Sequence, residues 1–436
     1  MQPLIALLGA GLSRNALGTV LLRGAFCALE LLCGLVIARL CAASGYGVYA
    51  LVVAWIALLG IPAAAGFDRL VIREVAMHRA RGEWSLLRGL VDFSSRTVLL
   101  PSIAVALVVA VIAALLSSEI PPDTRTALQM GLIAVPLLAF SRVRQSALQG
   151  LGHVAAGQIP ETLVQPLALL VLMGGLYAMP AIERSGLVTV ALYAVSTLIA
   201  CFVAVLMSSR MMPAAVHAAV PEYRKSSWIK GAVPFVWLLG LNVLVTKADT
   251  VLVGLLAGST PAGVYRLASQ LAMLVAFPLT CVSMAVAPSI AGAYAGGDVK
   301  TLQAIATGAA RLVLLASAPT ALALVVFGPI LLHLFGPEFV AGYRPLIILS
   351  LAYLVQAASG TAGYLLINTR FENRAAAVFG IGAALNVIGN LILIPAAGIE
   401  GAAIVTGLSV IVVNVTFVVL ARRDLGIHST ALPLRR

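Results

Sequence analysis

Arg23 and Glu30 stand seven residues apart in an otherwise apolar run. Seven residues is two helical turns, so both fall on one helical face. A charge at the centre of a membrane helix costs about 2.5–3.5 kcal/mol on the insertion scale. The two must therefore face protein or water, as a structural ion pair or as a site. A second set lies in "NVLVTKADTVLVG". Asn242, Thr246 and Asp249 fall at i, i+4 and i+7 on one stripe, and Lys247 projects to a different side. Arg266 and Gln270 face together shortly afterwards. Separated cations lining one cavity suit an extended anion such as a diphosphate. An ammonium such as Lys247 also suits a coupling role, because its pKa shifts readily. A Lys247–Asp249 pair, or a pair between the two halves of the chain, accounts for the same residues without a ligand.

Uncharged polar stripes accompany these charges. Tyr353, Gln356, Gly360, Tyr364 and Asn368 form one, in which tyrosines interleaved with amides can stack on sugar rings and bond hydroxyls. Ser141, Gln145 and Gln149 form another, and Asn386 and Asn390 a third. Asparagines in such places commonly bond a neighbouring helix. Asp68, Arg69, Arg73 and Glu74 close an apolar run, as a gate of ion pairs or as a charged helix end. Arg39 reads as a snorkelling helix end.

Nothing here resembles a catalytic centre. The five cysteines (27, 33, 41, 201, 281) have no paired spacing, and the five histidines (78, 153, 217, 333, 428) have no ligand spacing. Gly-rich phosphate loops, HExxH and GxSxG are absent from the sequence. No metal and no cofactor is expected, and the chain reads as a non-enzyme.

The elements that carry these residues follow from composition. Apolar residues make up 61%, charged residues 10%, and the mean hydropathy is +1.06. A soluble domain is about one quarter charged. A crossing helix needs roughly 20 apolar residues. Twelve runs qualify, near 17–40, 46–68, 97–117, 126–149, 160–181, 187–208, 229–256, 263–291, 304–327, 344–368, 375–396 and 399–420. They are too long and too uniformly apolar for barrel strands. The fold class is all-α integral membrane. The leading run "PLIALLGAGL" reads as an interfacial or re-entrant piece.

The net charge of +12 follows topology and is not a nucleic-acid footprint. With the N-terminus in the cytoplasm, most basic residues fall in cytoplasmic loops, and only Arg39, Arg125, Arg184, Arg266 and Arg344 face out. Both termini are then cytoplasmic. The outer loops are short, which disfavours a membrane enzyme acting on lipid-linked sugars.

"GVYALVVAWIALLGIP" (Gly47–Pro62) is echoed by "GVYRLASQLAMLVAFP" (Gly263–Pro278) at an offset of 216. Half a chain separates the copies, so the expectation is two six-helix lobes as parallel repeats: 1–210 and 231–436, joined by a cytoplasmic linker at 211–230. Proline at equivalent depths predicts a bend in both copies. The stretch "RARGEWSLLRGLVDFSSR" reads as a surface helix near anionic headgroups, with Trp84 at the interface.

Order and spacing over nearly the whole chain resemble the polysaccharide transporter family, the Wzx-type O-antigen or oligosaccharide flippases of the multidrug/oligosaccharidyl-lipid/polysaccharide (MOP) exporter superfamily. The resemblance is carried by Leu35–Ala76, with Arg39, Gly47, Tyr49, Gly66 and Arg73. Ala147–Leu170 also carries it, as does the stretch with Asp249, Gly254, Gly263, Tyr265, Ala268 and Pro288. "CAAS" departs from the Gly-Pro that many relatives have after the first turn. The resemblance implies a MATE-like, V-shaped transporter of the bacterial inner membrane. Its substrate would be an undecaprenyl-diphosphate oligosaccharide moved to the outer leaflet, coupled to H+ or Na+, for O-antigen, capsule or exopolysaccharide. Membrane lipids and polysaccharide polymerase machinery are the implied partners. Arg23 occupies the place of a cavity arginine. On this reading Arg23, Lys247, Arg266, Gln270, Tyr353, Gln356 and Tyr364 bind substrate, and Glu30, Asp249, Asp68 and Arg73 couple or gate. A cation-coupled multidrug exporter is the alternative, and would prefer a more acidic cavity.

Overall fold

The computed structural model describes residues 14–116, 121–179, 183–367, 369 and 371–431. The run "PLIALLGAGL" and Asn368 lie outside these residues, as do the side chains of Asn242 and Thr246. The described residues are almost entirely helical and contain no strand. In lipid, backbone polar groups must be satisfied within the protein, and a helix does this inside its own segment. Two compact units emerge among the described residues, one of 18–251 and one of 252–431 together with 14–17.

The first unit opens at Gly18 within α1 (Arg14–Ala64), which breaks at Ala42 (φ 55°, ψ −174°). Then follow α2 (Phe67–Arg81), α3 (Trp84–Thr97), α4 (Leu99–Leu115), α5 (Pro122–Gly131) and α6 (Ala134–Gly150). After α7 (Val154–Ile159) comes a π turn at Pro160–Val164, then α8 (Gln165–Ala178), α9 (Gly186–Met211), α10 (Ala214–Ala218) and the start of α11 (Lys225–Leu256). Val52, Ile56, Leu70, Leu87, Leu90 and Val143 are core residues.

One expectation is corrected here. Trp84–Leu115 is a helical stretch of 32 residues long and apolar enough to cross a membrane, and the segment read as a surface helix is its first part. Its apolar face (Leu86, Leu87, Leu90, Val91) is buried in protein, and Trp84 packs on the same core. Amphipathicity alone does not distinguish a membrane surface from a protein surface. The connection after α9 is also laid along α3. Arg88 Nη1 donates to the carbonyls of His217 (2.6 Å) and Ala219 (2.8 Å), and the Glu222 amide donates to Ser85 O (3.0 Å). Gly89 permits this contact, because a Cβ there would lie 1.8 Å from Glu222 O. Trp228 at the start of α11 is buried, with its ring 5.6 Å from that of Phe93. The division between compact units falls inside α11, between Val251 and Leu252.

The second unit holds α12 (Ser259–Ala272), a 3₁₀ turn at Met273–Val275, α13 (Phe277–Ala295) and α14 (Val299–Phe335). A further 3₁₀ turn (Pro337–Gly342) leads to α15 (Tyr343–Ser359), α16 (Ala362–Ile367) and α17 (Glu372–Leu425), which breaks at Gly398 (φ 56°, ψ −136°). α15 packs between α14 and α17. The chain then turns at Gly426 and folds back. Gln303 Nε2 donates to His428 O (2.7 Å) and the His428 amide donates to Gln303 Oε1 (2.8 Å). Ser429 is fully buried, and Gly360 (φ 64°) makes room for its carbonyl, which would lie 2.6 Å from a Cβ.

Eight of the described helices are long and apolar enough to cross a membrane, or nine if the bent pair Ser259–Val275 and Phe277–Ala287 is one span. Two of the eight, of 47 and 53 residues, contain the breaks at Ala42 and Gly398, and each is long enough for two crossings. With α11, this accommodates the expected twelve. The chain is a multi-pass membrane protein.

Candidate functional site

A polar region of the first unit is built by α6, the π turn and α9. Arg142 on α6 donates from Nη2 to Oε1 of Glu161 at 2.8 Å. The two side chains are 34% and 35% exposed. Glu161 projects from the π turn, a wider helical turn that is frequent at functional sites. Gln165, where α8 resumes, donates to Thr197 Oγ1 (2.8 Å), and that hydroxyl donates to the Tyr193 carbonyl (2.8 Å). The Tyr193 ring meets Tyr49 edge-on at 5.8 Å. On α6, Gln145 donates to Ser141 Oγ (2.8 Å), so two members of the expected Ser141–Gln145–Gln149 stripe satisfy each other in a buried position. Charge-assisted donors, amides and phenols thus line one region.

Sequence reading did not single out Arg142 as a site, and it passed over Glu161. Each was visible as a lone charge beside or inside an apolar run. Their pairing depends on the turn from α6 into α7, which brings residues 19 apart in sequence together.

Among the residues expected from sequence, Arg23 is exposed and Glu30 half-buried on α1. On α11, Lys247 is half-buried, and Asp249 is buried with Oδ1 accepting from the Thr250 amide (2.7 Å). The structure places Lys247 and Asp249 in the same compact unit as Arg23 and Glu30. Arg266 and Gln270 are half-buried on α12, as are Tyr353 and Gln356 on α15 and Tyr364 on α16. α12 and α15 pack against each other. Gln356 Oε1 is buried without a hydrogen-bond partner. In the second unit Asn390 donates to Asn386 (3.1 Å), Asn386 donates to Thr406 Oγ1 (3.0 Å), and Tyr265 donates to the same hydroxyl (3.3 Å). These bonds tie α12 and the two segments of α17 together.

On α2, Asp68 accepts from the Arg69 amide (2.9 Å), and Arg73 pairs with adjacent Glu74 (2.8 Å) while its guanidinium lies over Phe235. The charges proposed from sequence as a gate are thus engaged close to home. Nearby, buried His78 meets Glu83 at 2.6 Å through Nδ1, and this bond holds the Glu83 carboxyl below its ordinary range. Asp298 is lowered in the same way by Thr301, whose hydroxyl and amide both donate to it. Among the described residues no group of three or more His, Cys, Asp or Glu is placed to hold a metal ion.

A family model described as "Polysaccharide biosynthesis protein" matches residues 12–293, and one described as MatE matches residues 238–395. Among solved structures, the chain is similar to an inward-facing multidrug resistance MATE family transporter of the MOP superfamily. That match has 14% identity, covers 92% of this chain and 98% of that one, and has a TM-score of 0.70. It is similar to the lipid II flippase MurJ in an inward closed conformation, with 12% identity, coverage of 94% and 90%, and a TM-score of 0.71. It is also similar to a MOP superfamily transporter from Pyrococcus furiosus, described as having a binding pocket of reverse polarity. There the identity is 13%, the coverage 95% of each chain, and the TM-score 0.65. At such identities the likeness is one of fold. No curated protein matches the sequence.

Proposed function

The chain belongs to the polysaccharide biosynthesis protein family, and we propose that within it the protein is a flippase for an undecaprenyl-diphosphate-linked oligosaccharide. The observation that carries this reading is the family match over residues 12–293, on a fold shared with MATE-type transporters and a lipid II flippase. Transport runs from the cytoplasmic to the periplasmic leaflet of the inner membrane, by alternating access coupled to H+ or Na+. The tandem halves, 1–210 and 231–436 about the connection 211–230, undergo the movement. Both termini stay cytoplasmic, and a polysaccharide polymerase receives the product. The work is transport, with no chemical step on the sugar.

Arg23, Lys247 and Arg266 are assigned to the diphosphate, because only cations offset its charge at membrane depth. Gln270, Tyr353, Gln356 and Tyr364 are assigned to the sugar, where amides and phenols bond hydroxyls and aromatic faces stack on rings. Glu30 and Asp249 are assigned to ion coupling, and Asp68 and Arg73 to gating.

The test is where lipid-linked oligosaccharide accumulates in cells lacking the protein, read by surface accessibility and mass spectrometry of the lipid fraction. Cytoplasmic-face accumulation, reversed by wild type but not by Arg23→Ala or Lys247→Ala proteins that still insert, is the expected result. Normal surface glycan with altered drug sensitivity would retire this reading. That outcome favours a cation-coupled multidrug exporter, the reading suggested by the MatE match over 238–395.

A further inference from the structure

Arg142 lies within Pro122–Gly150 and Glu161 within Val154–Ala178, two helical stretches long and apolar enough to cross a membrane. Ionisable groups within such stretches are costly and mark function by default. Stability does not account for the pair. Each partner is about one third exposed, and exposed pairs contribute little. A hydrophobic pair of similar volume is often as stable as a desolvated ion pair.

The geometry shows what the pair leaves unused. A guanidinium presents a planar fork that grips a carboxylate or phosphate with two parallel bonds. Here one bond forms, from Nη2 to a single carboxylate oxygen. The side towards Nη1 is bounded by Gly60, whose absent Cβ would stand 3.5 Å from that nitrogen. Gln165, Thr197 and the phenol of Tyr193 lie alongside. The other charged groups that act on this neighbourhood are Asp68, felt by Arg142, and Glu30, felt by Tyr193. A phosphate offers the fork two acceptor oxygens and more charge than Glu161 does.

We propose that Arg142 is a phosphate-binding subsite that Glu161 occupies while substrate is absent, so that the diphosphate of a lipid-linked sugar binds by exchange with the Glu161 carboxylate. This rests on the flippase reading and adds to it a subsite with a resident competitor. Glu161 keeps Arg142 neutralised within the membrane when nothing is bound. It also sets a threshold that a weakly held anion does not pass.

The test uses the full chain in nanodiscs of neutral lipid and measures binding of inorganic diphosphate and of a short prenyl diphosphate by calorimetry. Glu161→Gln removes the competitor and keeps the shape, and binding is expected to tighten by about tenfold, the effect of one charge-assisted bond. Arg142→Gln is expected to weaken it by at least about tenfold. Arg142→Lys keeps the charge and loses the fork, so it falls between Arg142→Gln and wild type and serves if Arg142→Gln does not fold. Adding phosphatidylglycerol to the discs separates lipid headgroups from substrate. Weaker diphosphate binding by Glu161→Gln in those discs would mean that headgroups use the same subsite.

The exchanged pair Arg142→Glu with Glu161→Arg restores an ion pair with its charges reversed. Wild-type diphosphate binding by that variant, or unchanged binding by Glu161→Gln, overturns the proposal and leaves the flippase reading standing. Failure of every variant and of wild type to bind either diphosphate overturns both.

Discussion

Ala42 holds a backbone conformation (φ 55°, ψ −174°) that belongs almost entirely to glycine and costs an L residue about 1–3 kcal/mol. It sits at the turn between the first two crossings, in the "CAAS" that replaces a Gly-Pro wording. Ala42→Gly is therefore expected to stabilise the protein by about 1 kcal/mol, read as a higher melting temperature of the purified protein in detergent. An unchanged or lower value would mean that the turn carries no strain. A second residue-scale prediction concerns Glu83. Its folded pKa lies below the ordinary 4.5, because His78 bonds the ionised carboxylate. Its contribution is thus full above pH 4.5 and is lost as pH falls through the lowered value. Glu83→Gln should be less stable than wild type at neutral pH, and the two should converge in acid. A gap that persists once the Glu83 carboxylate is fully protonated would assign the effect to packing instead.

At the scale of elements, the repeated phrase meets two different fates. The second copy bends by 45° between Val275 and Phe277, just before Pro278. The first copy stays helical through Pro62 to Ala64, and the chain breaks afterwards at Ala65 and Gly66 (φ 47° and 75°). Proline removes one donor and clashes one turn back, but neighbours decide whether the chain bends there or ends the helix a few residues on. The π turn at Pro160–Val164 is the other element with a consequence. Such a turn carries one residue more than an α-helix needs, and it aims Glu161 at Arg142. Deleting Thr162 should restore a regular helix, leave α8 in register, and lose transport while the protein still inserts. Wild-type transport by the deletion would make the turn dispensable.

For the whole molecule, the asymmetry of basic residues predicts one orientation. Single cysteines at Arg81 and Arg184, both exposed, should label from opposite faces of the membrane in a cysteine-free background, with Arg81 facing the cytoplasm. Labelling of both from one side would require a different number of crossings between them. The same experiment checks the connection after α9, which lies along α3. A probe at Ala218 should report the same side as Arg81.

The sequence by itself determined the membrane class, the helical fold and the family wording. Each depends on composition and local order, and lipid leaves an apolar run no alternative to helix. It also displayed the charges, because a lone Arg or Glu in an apolar run is conspicuous. It did not say which charges meet. Arg142 and Glu161 are joined by a hairpin and a π turn, and neither is encoded in the spacing of the two residues. The segment from Trp84 to Thr97 has one apolar face, and only the presence of α2 and α6 decided that protein, and not headgroups, would cover it. Trp228 at the start of α11 likewise found a partner in Phe93, within the same compact unit. Local pattern fixes which surfaces need covering, and tertiary packing decides what covers them.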